Sequence, residues 1–218
     1  MGQLVDDYNN AQEEYCATWA VTDKILYKLC RGWRSQSKAD IHAKLVLIGR
    51  GYQTNVEKTV VSPAIVKKRR QGYALDRLAA GLSQGEQRRE LNRILGSLAP
   101  VCFPVTAADH GAIQKAHRDL VRLIRTSAVV GPSRSRPKPR SFAAKFLHFH
   151  CPAVPIYDRY ARRGLRPFAN CRLTDVHDYA RFLTHFWKLY ERLPVRLRTR
   201  DDSVRILDRV LVRAANGL

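Results

Sequence analysis

Apolar residues recur at intervals of three and four along almost the whole chain, and no stretch alternates convincingly between apolar and polar. A period near 3.6 buries one stripe of a helix, whereas a half-buried strand needs a period of 2. The pattern therefore predicts an all-α fold. Residues 4–31 read as one helix, with Tyr8, Ala11, Tyr15, Thr18, Trp19, Thr22, Ile25, Leu26 and Leu29 on its inner side and Trp19 in the core. Further helices are expected over 40–58, 64–82, 83–98, 106–128, 174–193 and 201–215. Polar or proline-containing breaks separate them at 32–38, 99–105, 129–141 and 170–173. The chain has 218 residues, enough for one compact multi-helix domain, with a division into two helical lobes near 129–141 and a cleft between them.

Charge narrows the function. Thirty-nine Lys and Arg face 19 Asp and Glu, a formal net charge of +20. That excess predicts a polyanionic partner, most simply nucleic acid, bound in a salt-sensitive way. A generally basic or ribosome-associated protein would share the composition. The five cysteines are odd in number and contain no CxxC pair, which argues against a disulfide framework and a four-cysteine metal site. No metal or other cofactor is expected. The polar, acidic start MGQLVDDYNNAQEEY is unlike a secretory signal, and no apolar run approaches the length of a membrane span. A monomer in the cytoplasm is the expectation.

Chemistry concentrates in one stretch, PRSFAAKFLHFHCPAVPIYDRYARRGL, counted from Pro139. Ser141 is a candidate N-cap for a short apolar helix. Pro152 and Pro155 stop that helix, and Asp158 then opens an arginine-rich segment over 158–165. A carboxylate at a helix N-terminus is held in place and kept ionised by the backbone N–H groups there. Asp158 is thus either a cap alone or a cap with a second task. Arg134, Arg136, Lys138 and Arg140 make the preceding loop basic, and Arg159, Arg162 and Arg163 follow the aspartate. All seven are candidates for phosphate contacts, although the loop also fits a plain linker. Gly49 and Gly51, which weaken a helix, lie beside Tyr52 and Gln53. The glycines fit close helix packing. They equally admit a ligand, with Tyr52 and Gln53 stacking on and hydrogen-bonding a base. His148 and His150 could contact phosphate or a displaced base, or pack as ordinary core histidines.

The segment AAKFLHFHCPAVPIYDRYARR, above all Pro155-Ile156-Tyr157-Asp158, resembles the helix-hairpin-helix DNA glycosylases, in which a loop rich in glycine and proline precedes an aspartate. The resemblance covers the middle-to-late third of the chain. It implies that Asp158 faces the sugar of a flipped-out nucleotide in double-stranded DNA. The chain has no LPGVG-type hairpin, so its proline- and arginine-rich loop would hold the strand by charge. Some members of that family attack C1′ with a lysine amine. Arg140 occupies the usual place of that lysine, and an arginine stays protonated. Lys145 lies more than one turn further on and is expected to face elsewhere on a regular helix. The resemblance therefore implies base removal without strand cleavage, with Lys145 the alternative nucleophile. Repair of damaged bases and defence against phage DNA with modified bases both fit. A non-catalytic helical DNA- or RNA-binding module is the competing class.

Overall fold

A computed structural model describes residues 2–31, 37–52, 54, 71–127 and 139–218, with backbone alone at 71–74, 173 and 175. These residues form a compact all-helical structure, and no strand occurs among them. The α-helices are α1 (Gly2–Thr18), α2 (Ala20–Arg31), α3 (Lys38–Gly51), α4 (Gln71–Leu82), α5 (Gly85–Gly96) and α6 (Ala107–Thr126). Then come α7 (Arg140–His150), α8 (Arg159–Ala169), α9 (Tyr179–Glu191), the short α10 (Val195–Arg198) and α11 (Ser203–Ala215). A single 3₁₀ turn, Leu173–Val176, precedes α9. None of the helices is long and apolar enough to cross a membrane.

Local chemistry explains most boundaries. Ser37 and Asp40 form a reciprocal capping box at the start of α3, the Ser37 hydroxyl accepting from Asp40 N and the Asp40 carboxylate from Ser37 N. Asp109 accepts from the backbone N–H of Thr106 at 2.8 Å and so fixes the start of α6. Asn170 ends α8 in the left-handed conformation, φ 45°, its N–H bonded to Arg166 O.

Three expected elements differ. The stretch 4–31 is two helices that meet at Trp19. In α2 Leu26 is buried as expected, but the offset buries Asp23 and Cys30 in place of Thr22 and Ile25, leaving Val21 72% and Ile25 60% exposed. Ser141 is not the cap of α7; Pro139 holds that position and the helix starts at Arg140. The helix expected to begin at Thr174 begins at Tyr179, because Asp178 accepts from Arg181 N and caps it there. The parts of the expected 40–58 and 64–82 helices that fall within 55–70 lie outside the described residues, as does most of the 129–141 loop.

Helix α11 packs against α1 and α8 and is buried over most of its first three turns. Its contact with α8 is close because Gly164 has no side chain: a Cβ there would lie 1.7 Å from the Leu211 carbonyl oxygen. Helix α7 is buried along almost its whole length and packs against α2, α3 and α6. The α7–α8 segment and α11 therefore meet within the core, and ionisable side chains from both are drawn together there.

Candidate active site

Asp158 is the N-cap of α8. Its Oδ1 accepts from Tyr160 N at 2.9 Å and from Ala161 N at 3.0 Å. Its Oδ2 lies 2.8 Å from Lys145 Nζ. The two side chains are only 18% and 8% exposed. Burial alone would raise the Asp158 carboxyl. The Lys145 ammonium and the two backbone donors outweigh it and hold the group below its ordinary 3.8. Asp158 is thus a rigid carboxylate, ionised at neutral pH.

The position of Lys145 corrects the expectation that it would face elsewhere. Helix α7 is regular, but the segment after it turns back over the helix. Val154 N donates to Cys151 O, and Val154 O is bonded to His148 Nδ1 at 2.8 Å. This return brings Asp158 onto the face of α7 that carries Lys145. The ammonium also donates to Tyr52 O at 3.2 Å. Arg140, at the family's usual lysine position, donates instead to His177 O at 3.2 Å and lines a separate cavity with His117 and Tyr179.

Asp158 and Lys145 open onto a cavity of about 560 Å³. Its wall also includes Trp19, Tyr52, Thr54, Arg159, Tyr160, Arg205, Asp208 and Arg209. The volume falls within the ordinary range for small-ligand sites. Of its aromatic residues, Trp19 and Tyr52 have ring centroids 6.1 Å apart, tilted by 40°. Arg209 lies over the Trp19 ring at 5.3 Å while donating to Glu14, which also accepts from Arg213 at 2.9 Å. One carboxylate, Glu14, thereby holds two arginines, and Arg209 is fixed at the cavity wall.

Part of this wall belongs to a buried ion-pair network. Arg205 Nε donates to Asp23 Oδ2 at 2.6 Å, and its Nη1 donates to Asp208 Oδ2 at 2.6 Å. The Tyr52 hydroxyl donates to the other Asp23 oxygen. Burial, reinforced by Asp23, pushes the Tyr52 phenol well above its ordinary value. Asp208 differs from Asp158 in sign: burial raises it to about 6, against the lowering influence of Arg205.

The expected site residues divide into three groups. Asp158, Lys145, Tyr52 and Arg159 line the same cavity. Arg162 lies behind it over the Tyr157 ring, at 5.4 Å, and Arg163 is exposed on α8. Gln53, Arg134, Arg136 and Lys138 fall outside the described residues. The expectation that His148 and His150 face a base is corrected. His148 is fully buried between Val154 O and the Tyr27 hydroxyl, the latter at 2.6 Å, and His150 is bonded to Phe146 O at 2.8 Å. Neither lines the cavity, because the α7 face that carries them packs on other helices.

Sequence reasoning missed Trp19, Asp23, Arg205, Asp208 and Arg209 as site residues. A signal existed for Arg205 and Asp208: an oppositely charged pair three residues apart, set among the apolar residues Val204, Ile206, Leu207, Val210 and Leu211. Trp19 had none, since its exposure follows from the α1–α2 break. Among the described residues no group of three or more His, Cys, Asp or Glu is placed to hold a metal ion. No protein-family model matches the chain, and no curated protein or solved structure is similar to it at a significant level.

Proposed function

We propose that the chain is a DNA glycosylase, which takes a damaged or modified base out of the duplex and hydrolyses its bond to C1′ of the sugar. The observation that carries this reading is Asp158: a half-buried, ionised carboxylate fixed by two backbone donors and Lys145 at the wall of an open cavity. Departure of a base leaves positive charge on the sugar. A carboxylate already oriented and desolvated stabilises that charge without further reorganisation, and it can accept a proton from the attacking water. The net charge of +20 supplies attraction to phosphate, and the cavity has room for a base that has left the stack. Repair and defence against phage DNA with modified bases are both settings for such an enzyme.

One observation favours a second route on the same site. Lys145 is close enough to Asp158 for both to reach one sugar carbon, so an amine attack on C1′ competes with attack by water. The routes differ in their product. Hydrolysis leaves an abasic site, whereas the amine leaves a Schiff base that borohydride traps.

The test is an abasic-site assay on end-labelled duplexes carrying a panel of lesions and on phage DNA with modified cytosines or thymines. Asp158→Asn keeps the cap and is expected to abolish alkali-dependent cleavage while leaving salt-sensitive DNA binding intact. Trapped adduct would select the amine route. Tight binding with no abasic site on any substrate would refute the enzyme and leave a non-catalytic binding module.

A further inference from the structure

Asp208 is a buried acid of the site that the reaction above leaves without a task. It lies on α11, close to one turn after Arg205, and both residues line the cavity that holds Asp158 and Lys145. Oδ2 accepts from Arg205 Nη1. Oδ1 is buried and has no hydrogen-bond partner among the described residues. The Nε edge of Arg205 is already committed to Asp23. A buried carboxylate oxygen without a donor loses solvation that nothing replaces. A proton on the carboxyl, or a group on a bound ligand, removes that cost.

The surroundings favour the proton. Burial, aided by the Asp158 charge, brings Asp208 up to about 6 against the cations around it. The opposing cations are Arg205 and Arg209 from α11 itself and Lys145 from α7. Asp23 of α2 draws on the same Arg205, and the Tyr52 hydroxyl is held by Asp23. Two carboxyls of one cavity are thus pushed in opposite directions, Asp158 towards the ionised form and Asp208 towards the neutral one. Such a divergence separates a charge stabiliser from a proton donor.

We propose that Asp208 is a second catalytic residue, meeting the departing base as a neutral carboxylic acid and protonating it as it leaves. The proposal rests on the glycosylase reading and deepens it. The C1′–N bond breaks, and its electron pair goes to the base. The Asp208 proton bonds to a ring nitrogen or carbonyl oxygen of that base. Water forms the new C1′–O bond and releases its proton to Asp158, and both carboxyls exchange with solvent before the next turnover. The substrate class follows: neutral bases whose anions leave poorly, rather than N-alkylated cationic bases that depart without a proton.

The experiment compares the base released in the abasic-site assay with its ring-fluorinated analogue, whose anion leaves with less help. Single-turnover rates of Asp208→Asn are expected to fall roughly 100-fold or more on the natural base and far less on the analogue. Asp158→Asn should slow both alike. The wild-type chain gives an independent readout if Asp208→Asn fails to fold. Its rate on the natural base should decline as pH rises above about 6, and its rate on the analogue should not. Equal slowing of the two bases by Asp208→Asn, or superimposable wild-type profiles, would overturn the role of Asp208 and leave the glycosylase standing. Release of no base by wild type would overturn both.

Discussion

Lowering the pH from 7 to 5 should destabilise this protein through three histidines that have no part in the proposed chemistry. His117 is buried against the Tyr179 ring, with its Nε2 2.9 Å from Arg140 O. His148 is buried between Val154 O and Tyr27. His150, bonded to Phe146 O, is enclosed as well, and burial drives the first two imidazoles down to about 4 and His150 down to about 3, from an ordinary 6.5. The sign is fixed by which state takes the proton first. Between 6.5 and 4 the unfolded chain binds it and the folded chain does not, so stability present above 6.5 is lost as pH falls. Over the two units from 7 to 5 each histidine costs about 2 kcal/mol. Asp208 works the other way. Its folded value of about 6 lies above its ordinary 3.8, so the folded state takes the proton first and gains about 1 kcal/mol over the same window. Asp158 contributes only below 3.8. The net loss is about 5 kcal/mol, a large share of the stability of an ordinary domain. Urea unfolding followed by circular dichroism at the two pH values, at constant ionic strength, measures it. His148→Gln should remove about a third of the histidine contribution. An unchanged midpoint between pH 7 and 5, or an unchanged pH slope in His148→Gln, would refute the reasoning.

Two further perturbations test the framework and the site. Gly164→Ala places a methyl group against the Leu211 carbonyl, and the α8 and α11 backbones must separate. A cost of about 2–3 kcal/mol is expected, lowering Tm by roughly 5–10 °C in calorimetry; a Tm within a degree of wild type would show that the contact is not tight. Lys145→Met strips Asp158 of its cation, leaving its Oδ1 bonds to α8. Stability at pH 7 should fall by about 2 kcal/mol, less than for a fully buried pair because water still reaches the carboxylate. The Asp158 carboxyl should titrate higher by NMR, and an unmoved titration would count against the pairing.

The helical periodicity was legible wherever a single element carried its own stripe. Ile113, Ala116, Leu120, Leu123 and Ile124 announce α6, and all are buried. Periodicity cannot register a small offset between two consecutive helices, which is why 4–31 read as one element and Trp19 as core. Competition between caps is equally hidden. Thr174 and Asp178 are both good N-caps, and only the 3₁₀ turn between them shows that Asp178 starts α9.

The aspartate of the candidate site was legible because its determinants are local: two prolines end α7, and the acid stands where the next helix begins. Its surroundings were not. The pairing with Lys145 depends on a segment folding back across α7, and the histidines expected near a base proved to be on packed faces. Arg205, Asp208 and Asp23 are separated from Asp158 by long stretches of chain.

The amino-acid sequence by itself determined the all-α class, the strong positive charge and the cap position of Asp158, since these follow from side-chain period, composition and the residues beside a helix start. Only the tertiary structure decided which charges share the cavity and which way each carboxyl is pushed. Those properties arise from burial and from distances of a few ångströms between helices far apart in the chain, and a linear order of residues contains neither.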